Sequence, residues 1–167
     1  MPVTVKVAGL ATLGDALRSM GADMLLKTAR RMTNAGAQVV KKRAIAKAPQ
    51  SAQVHQLGRR KDQVVNPGNL KRNIVVRRIR PRTPGREDYT VGVRHGSGKA
   101  PRDAFYWRFI EFGTVKMGAR PFLRPAFDGG KGEAVEAMAD RGRRDIKISQ
   151  TKAANRFKAP MRTSRGR

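Results

Sequence analysis

The chain contains no cysteine, which excludes a disulfide scaffold, a cysteine-based zinc site and thiol catalysis. It is poor in acids, with 12 Asp and Glu against 37 Lys and Arg, and its formal net charge is +25. It has two histidines, His55 and His95, both in or beside predicted loops. No His-x-x-x-His pair exists and no carboxylate cluster stands near either, so no metal site is expected. No apolar run approaches the ~20 residues of a membrane span. The stretch from Met1 to Leu10 lacks a signal-peptide pattern. These absences predict a protein made in a cytoplasm, used there or in something assembled there, with no membrane partner. The 167 residues make one domain, or one domain and a tail. At that size roughly two-thirds of the unfolded surface can be buried.

Aromatic residues are also scarce, at 5%, but they are not scattered. Phe105, Tyr106, Trp107, Phe109, Phe112, Phe122 and Phe127 fall within one short stretch. Charge divides the chain at the same place. The net charge is +7 over residues 1–50, +9 over 51–100, zero over 101–140 and +9 over 141–167. A neutral, aromatic block therefore sits inside a strongly basic chain. Each buried aromatic removes a large apolar area from water, so this block is the expected heart of the core. Phe105, Phe109 and Phe112, at helical spacing, are expected to face inward. The basic excess implies an anionic neighbour such as DNA, RNA, anionic lipid or an acidic protein surface.

Local patterns outline an α+β domain. Val3, Val5 and Val7 alternate with Thr4, Lys6 and Ala8, the period of a half-buried strand. From Thr12 to Ala48, Leu13, Leu17, Met20, Met24, Met32, Val39 and Val40 recur at three- and four-residue steps, which predicts a long amphipathic helix. Gly21 and Gly36 are possible kinks, and Pro49 ends it. Residues 50–69 read as a long basic loop rich in turn formers. Ile74–Arg80 and Tyr89–Val93 predict an antiparallel hairpin, with Pro81, Pro84 and Gly85 in its basic tip. Asp103 is placed to cap a short helix reaching Ile110, and Gly113 stops the chain after Phe112. Pro121 or Pro125 suits the start of another helical turn. Gly129, Gly130 and Gly132 argue against a continuous helix from there, so the C-terminal helix is placed at Glu133–Arg144. The resulting fold is a long N-terminal helix packed on a small antiparallel sheet, a shorter C-terminal helix and a basic C-terminal extension. The domain spans 1–140 and the extension 141–167.

Catalytic motifs fail on inspection. Gly96-Ser97-Gly98-Lys99 suggests a phosphate loop, but Val93 stands where the first glycine belongs and Ala100 where Ser or Thr should follow the lysine. Glu133, Glu136 and Asp140 lie at i, i+3, i+7, the spacing of a solvated helix face. A two-metal nuclease would also cluster carboxylates, yet nothing marks these acids as ligands. The expectation is a protein without catalytic activity, metal or cofactor.

One constellation is specific. Ala48-Pro49 closes the long helix, and Pro67-Gly68-Asn69-Leu70-Lys71-Arg72-Asn73-Ile74 follows. Then come Glu111-Phe112-Gly113-Thr114 and Arg120-Pro121-Phe122-Leu123-Arg124-Pro125-Ala126. In this order, across about residues 10–140, they resemble the tail-completion, or minor tail component, family of long-tailed bacteriophages. Two departures stand out. Seventeen residues, 50–66, separate Ala-Pro from Gly-x-Leu where the family has a few, and the basic extension is not part of the usual pattern.

The resemblance implies a structural virion protein of the phage neck, assembled in the bacterial host cytoplasm. It would form a homo-oligomeric ring, most often a hexamer. Its partners would be the tail tube or a tail terminator protein, and a head-side connector or stopper protein. The interface residues it suggests are Glu111, Phe112, Gly113, Thr114, Arg120, Pro121, Phe122, Leu123, Arg124 and Pro125. Arg120 or Arg124 is the natural ion-pair partner for Glu111. Non-specific contacts with packaged DNA or with acidic partners fall to three groups. The 50–69 loop offers Arg59, Arg60 and Lys61. The hairpin offers Arg77, Arg78, Arg80, Arg82 and Arg86. The C-terminal stretch offers Arg141, Arg143, Arg144, Lys147, Lys152, Arg156, Lys158, Arg162, Arg165 and Arg167. The alternative is a free, non-specific nucleic-acid-binding protein with a basic tail. It has no recognised reading motif, and the aromatics do not interleave with the basic runs as base stacking would want.

Overall fold

The computed structural model describes residues 22–51, 55–57, 63–80, 83, 85–95 and 104–158. The expected Val3–Val7 strand, the Thr12 start of the long helix, the glycine-rich 96–99 stretch and the Asp103 cap lie outside them.

The described chain opens with α1, Ala22–Lys47. Its buried positions Thr28, Gly36, Val40 and Ala44, continued by Ala48 just past its end, recur at multiples of four, the stripe of a helix with one covered face. Gly36 does not interrupt it. Pro49 follows its end, as expected. Two short strands come next, β1 (His55–Leu57) and β2 (Gln63–Val65), paired antiparallel. The 50–69 segment is therefore not all loop. Strands of three residues are too short to carry a readable period.

A single turn, α2 (Asn69–Arg72), leads into β3 (Ile74–Ile79), which pairs antiparallel with β4 (Asp88–Val93). The register runs from Ile74 opposite Val93 to Ile79 opposite Asp88. β-Branched residues and Tyr89 suit this pleated surface. Burial fades along β3 from Ile74 outward, so the hairpin is anchored at the Ile74 end and its outer residues Arg77 to Arg80 are exposed.

The short α3 (Trp107–Phe112) precedes α4, which runs from Leu123 to Lys158. The expected C-terminal helix, Glu133–Arg144, is the middle of a 36-residue element. It passes residue 140 without a break, so the first part of the basic extension is helix. Of Gly129, Gly130 and Gly132, Gly130 is buried against α1. α1 and α4 lie antiparallel, with Arg31 near Asp145, Gly36 against Met138 and Arg43 on Glu133. A Cβ on Gly36 would stand 2.7 Å from Met138 Cγ, and one on Gly130 2.8 Å from Arg43 Cδ. The glycines let the helices approach, and that contact offsets the roughly 1 kcal/mol each costs relative to alanine in a helix.

The core joins Ala44 of α1, Ala48 just past its end, Leu70, Ile74, Val93, Ala104, Phe122 and Ala126. Ile74 and Phe122 are its largest fully buried side chains. The expected aromatic core is corrected here. Phe109 and Phe112 are 50% and 68% exposed, and Phe105 is only partly covered. α3 has six residues, too short for its i, i+3 stripe to be drawn inward along its whole length. Trp107 packs partly against the core, stacks on His95 and lies under the Arg108 guanidinium.

Candidate assembly surface

Glu111 is one of the buried acids among the described residues. Its side chain is buried at the start of α4. Its Oε2 accepts hydrogen bonds from the backbone N–H of Phe122 (2.8 Å) and Leu123 (3.1 Å), and its Oε1 accepts from that of Arg124 (3.2 Å). Pro125 has no N–H to satisfy. The next donor, Ala126 N–H, reaches back to the Phe122 carbonyl at 3.3 Å and starts the helical ladder. Every free donor at this helix start is thus accounted for. The carboxylate also meets the positive end of the helix dipole. The expected partner, a guanidinium of Arg120 or Arg124, is corrected: Glu111 spends its oxygens on backbone donors.

Gly113 makes this geometry possible. Its φ is +78°, and a Cβ there would lie 2.8 Å from Ala119 N and 2.9 Å from Met117 O. Both neighbours are backbone and cannot yield. The loop then closes on itself. Thr114 and Met117 exchange backbone hydrogen bonds at 2.8 and 3.2 Å, and Arg120 N–H donates to the Ile110 carbonyl at 2.8 Å. Phe122, expected among the interface residues, is instead completely buried within the subunit.

What the corner leaves outside is apolar. Phe109, Phe112, Val115 and Met117 are all substantially exposed, Val115 fully. Sequence reasoning reached Phe112 and missed Val115 and Met117. A hydrophobic pair inside a tight turn was the available signal. A second apolar feature lies between α1, β4 and α4. This groove of about 620 Å³ is lined by Val40, Val91, Phe127, Val135 and Met138, with Lys131 and Arg124 among its polar members.

The cations divide into engaged and free. Arg78 Nε lies 2.7 Å from Glu87, which also accepts from Arg30 at 2.8 Å. These two guanidinium groups hold the Glu87 carboxyl down to about 2, and the same pairing raises Arg78. Arg86 pairs with Asp88, Arg143 with Asp140, and Arg141 faces Asp145. Arg77, Arg80, Arg144, Lys147 and Lys152 are exposed and have no carboxylate partner among the described residues. Arg156 and Lys158 belong to α4. Arg59, Arg60, Lys61, Arg82, Arg162, Arg165 and Arg167 lie outside the described residues. Among those that are described, no group of three or more His, Cys, Asp or Glu could hold a metal, and no helix is long and apolar enough to cross a membrane.

A family model described as "Bacteriophage HK97-gp10, putative tail-component" matches residues 11–113. The chain belongs to this phage tail-component family. The match covers α1, both hairpins and α3 and ends at Gly113, in the middle of the corner. No curated protein and no solved structure matches the chain. Membership in a family of tail components supports a structural role in the tail or neck and contact with other tail or head proteins. The long helix, the antiparallel sheet and the C-terminal helix of this tail component are the α+β architecture its sequence predicts.

Proposed function

We propose that the protein is a structural component of the phage neck. It forms a ring that completes the tail and joins it to the head-side connector around the DNA channel. Membership in the tail-component family carries this reading. The distribution of charge is consistent with it. A ring of about six copies would carry roughly +150 formal charges, which requires anions in or around it. Arg144, Lys147 and Lys152 lie towards the exposed side of α4, and Arg77 and Arg80 on the exposed outer part of the β3–β4 hairpin. Such cations bind phosphate without reading sequence, which suits DNA that must slide. The protein would reside in the virion after assembly in the host cytoplasm, with the tail tube or terminator on one side and the connector or stopper on the other.

The test is stoichiometry. Particles are treated with nuclease, washed in high salt and assayed for this chain by quantitative mass spectrometry. About six copies, or a small multiple, are expected. Loss of the chain in the wash, with the protein recovered on intracellular nucleic acid, would replace this reading with that of a free nucleic-acid binder.

A further inference from the structure

The outer side of the Gly113 corner is an apolar surface with a cleft in it. Phe109, Phe112, Val115 and Met117 are its exposed members. The cleft, of about 600 Å³, is lined by Phe109, Ile110 and Met117 together with Pro49, Leu70 and Tyr106. Arg120 is the one charged member of that lining among the described residues, and it has no carboxylate partner among them. The Gly113 turn, the Thr114–Met117 bridge and the Arg120 N–H bond to Ile110 hold the surface in one shape, so little ordering is left for binding. Exposed apolar patches with a polar rim mark interaction sites, and this rim is of one sign. Arg108, Lys116 and Arg120 are exposed, whereas the only acid from Ala104 to Phe127 is Glu111, buried and bound to backbone donors. The complement is an apolar segment flanked by carboxylates. This chain has almost none to give. Among the described side chains, Glu87, Asp88, Asp128, Glu133 and Asp140 are paired with arginine or lysine, and Asp145 is buried beside Arg31 and Arg141. Glu136 alone remains. The groove between α1, β4 and α4 has Arg124 and Lys131 as its charged lining, the same sign as the patch. A second copy is therefore a poor occupant. Duplex DNA offers phosphates but keeps its apolar surface stacked inside.

We infer that the Gly113 corner docks a different protein of the particle, through an apolar side chain that enters the Phe109–Met117 cleft and an Asp or Glu beside it that meets Arg120. The inference rests on the neck reading above and names the chemistry of one partner.

The absence of cysteine gives a clean labelling background. Full-length V115C carrying a benzophenone maleimide is added to tails and to heads purified from particles made without this chain, and irradiated. The expected product is an adduct with a tail or head protein, at a segment where an apolar residue stands beside Asp or Glu. An adduct with a second copy, with this chain's own residues or with a segment lacking acids would overturn the inference. So would the absence of an adduct on particles that have bound the labelled chain. F112D/V115D should melt as the wild type does, because both side chains are exposed, yet its recovery on tails or heads should fall at least about tenfold. Arg120→Glu should lower recovery too, and more in low salt than in high. Unchanged recovery of either variant would overturn the inference. Binding to phosphatidylcholine–phosphatidylglycerol vesicles that is lost in F112D/V115D would assign the patch to a lipid surface instead. Copy number in washed wild-type particles tests the neck reading separately. A stoichiometric chain without the Val115 adduct keeps the neck role and removes this surface alone, whereas a chain absent from particles removes both.

Discussion

The corner around Gly113 and the seam between α1 and its neighbours hold the same fold together by different physics. In the corner, one carboxylate meets three backbone donors at 2.8–3.2 Å, beside a phenyl ring with no solvent exposure. In the seam, arginines of α1 each face an acid from another element. Arg30 meets Glu87 at 2.8 Å, Arg43 meets Glu133 at 2.7 Å and Arg31 lies 3.6 Å from Asp145. The last of these is a charge contact without a hydrogen bond, since both Asp145 oxygens lack a donor. The corner depends on direction and shape. The seam depends on charge, and its arginines remain roughly half exposed. The comparison shows how a chain with so few acids tolerates a basic helix: three of its twelve are placed opposite arginines of α1. The corner should therefore fail by substitution and ignore salt, whereas the seam should yield to salt and pH.

The largest effect should come from Phe122→Ala. A fully buried ring leaves a cavity, and the expected loss is about 3–5 kcal/mol in denaturant unfolding. A loss no larger than that of an exposed position, such as Phe112→Ala, would show that the corner is not the packed end of the core. Next comes Glu111. Replacement by alanine orphans one buried and two part-buried donors at a helix start and should cost about 2–4 kcal/mol. Glu111→Gln keeps one oxygen for two of them but turns an amide toward the third, so about 1–2 kcal/mol is expected. Both losses should be the same in low and high salt. A loss that fades with salt would mean that the carboxylate acts through charge and not through hydrogen-bond direction.

The same contrast explains what could be read from the sequence. α1 and the β3–β4 hairpin were legible because each holds one period over enough residues: apolar residues at three- and four-residue steps up to Val40, alternation from Tyr89 to Val93. The stripe α1 buries, however, is Thr28, Gly36, Val40 and Ala44, and of the residues read only Val40 belongs to it. The pairing of Glu-Phe-Gly-Thr with Arg-Pro-Phe-Leu-Arg-Pro-Ala was legible as a motif, but its reason was not. Glu111 binds atoms that every residue has, so side-chain chemistry pointed wrongly to Arg120 and Arg124. α4 was underestimated because Gly129, Gly130 and Gly132 are weak helix formers. Gly130 is buried against Arg43 of α1, a contact made across the chain. Ala126, Gly130 and Ala134, small residues at steps of four, carried that signal. Phe109 and Phe112 were placed inside on their helical spacing within the aromatic block, and a six-residue helix could not bury them.

In the seam, Asp145→Asn should cost little. The substitution removes a buried charge that makes no hydrogen bond and leaves Arg31, 57% exposed, to be solvated. It leaves the Arg141 Nε, itself buried and without a hydrogen bond, no worse paired than before. The expected loss is about 1 kcal/mol or less in low salt. It should shrink further as salt is added. A loss as large and as salt-independent as that of Glu111→Ala would erase the distinction between the two regions.

The smallest effect, and the one most particular to the seam, is a pH dependence from Glu87. Its carboxyl is lowered from 4.5 to about 2 by hydrogen bonds from Arg78 and Arg30. A depressed carboxyl stabilises the folded chain fully above its ordinary value and loses that contribution as pH falls through the folded one. Stability should therefore decline between about 4.5 and 2 as the unfolded chain takes up a proton that the folded chain refuses. Glu87→Gln removes this group from the titration, so its unfolding curves should show a shallower decline across that window. The difference between the two proteins should narrow in high salt, because both arginines face solvent. Equal slopes for wild type and Glu87→Gln would mean that the Arg30–Glu87–Arg78 bridge, though short, does not tie the hairpin to α1.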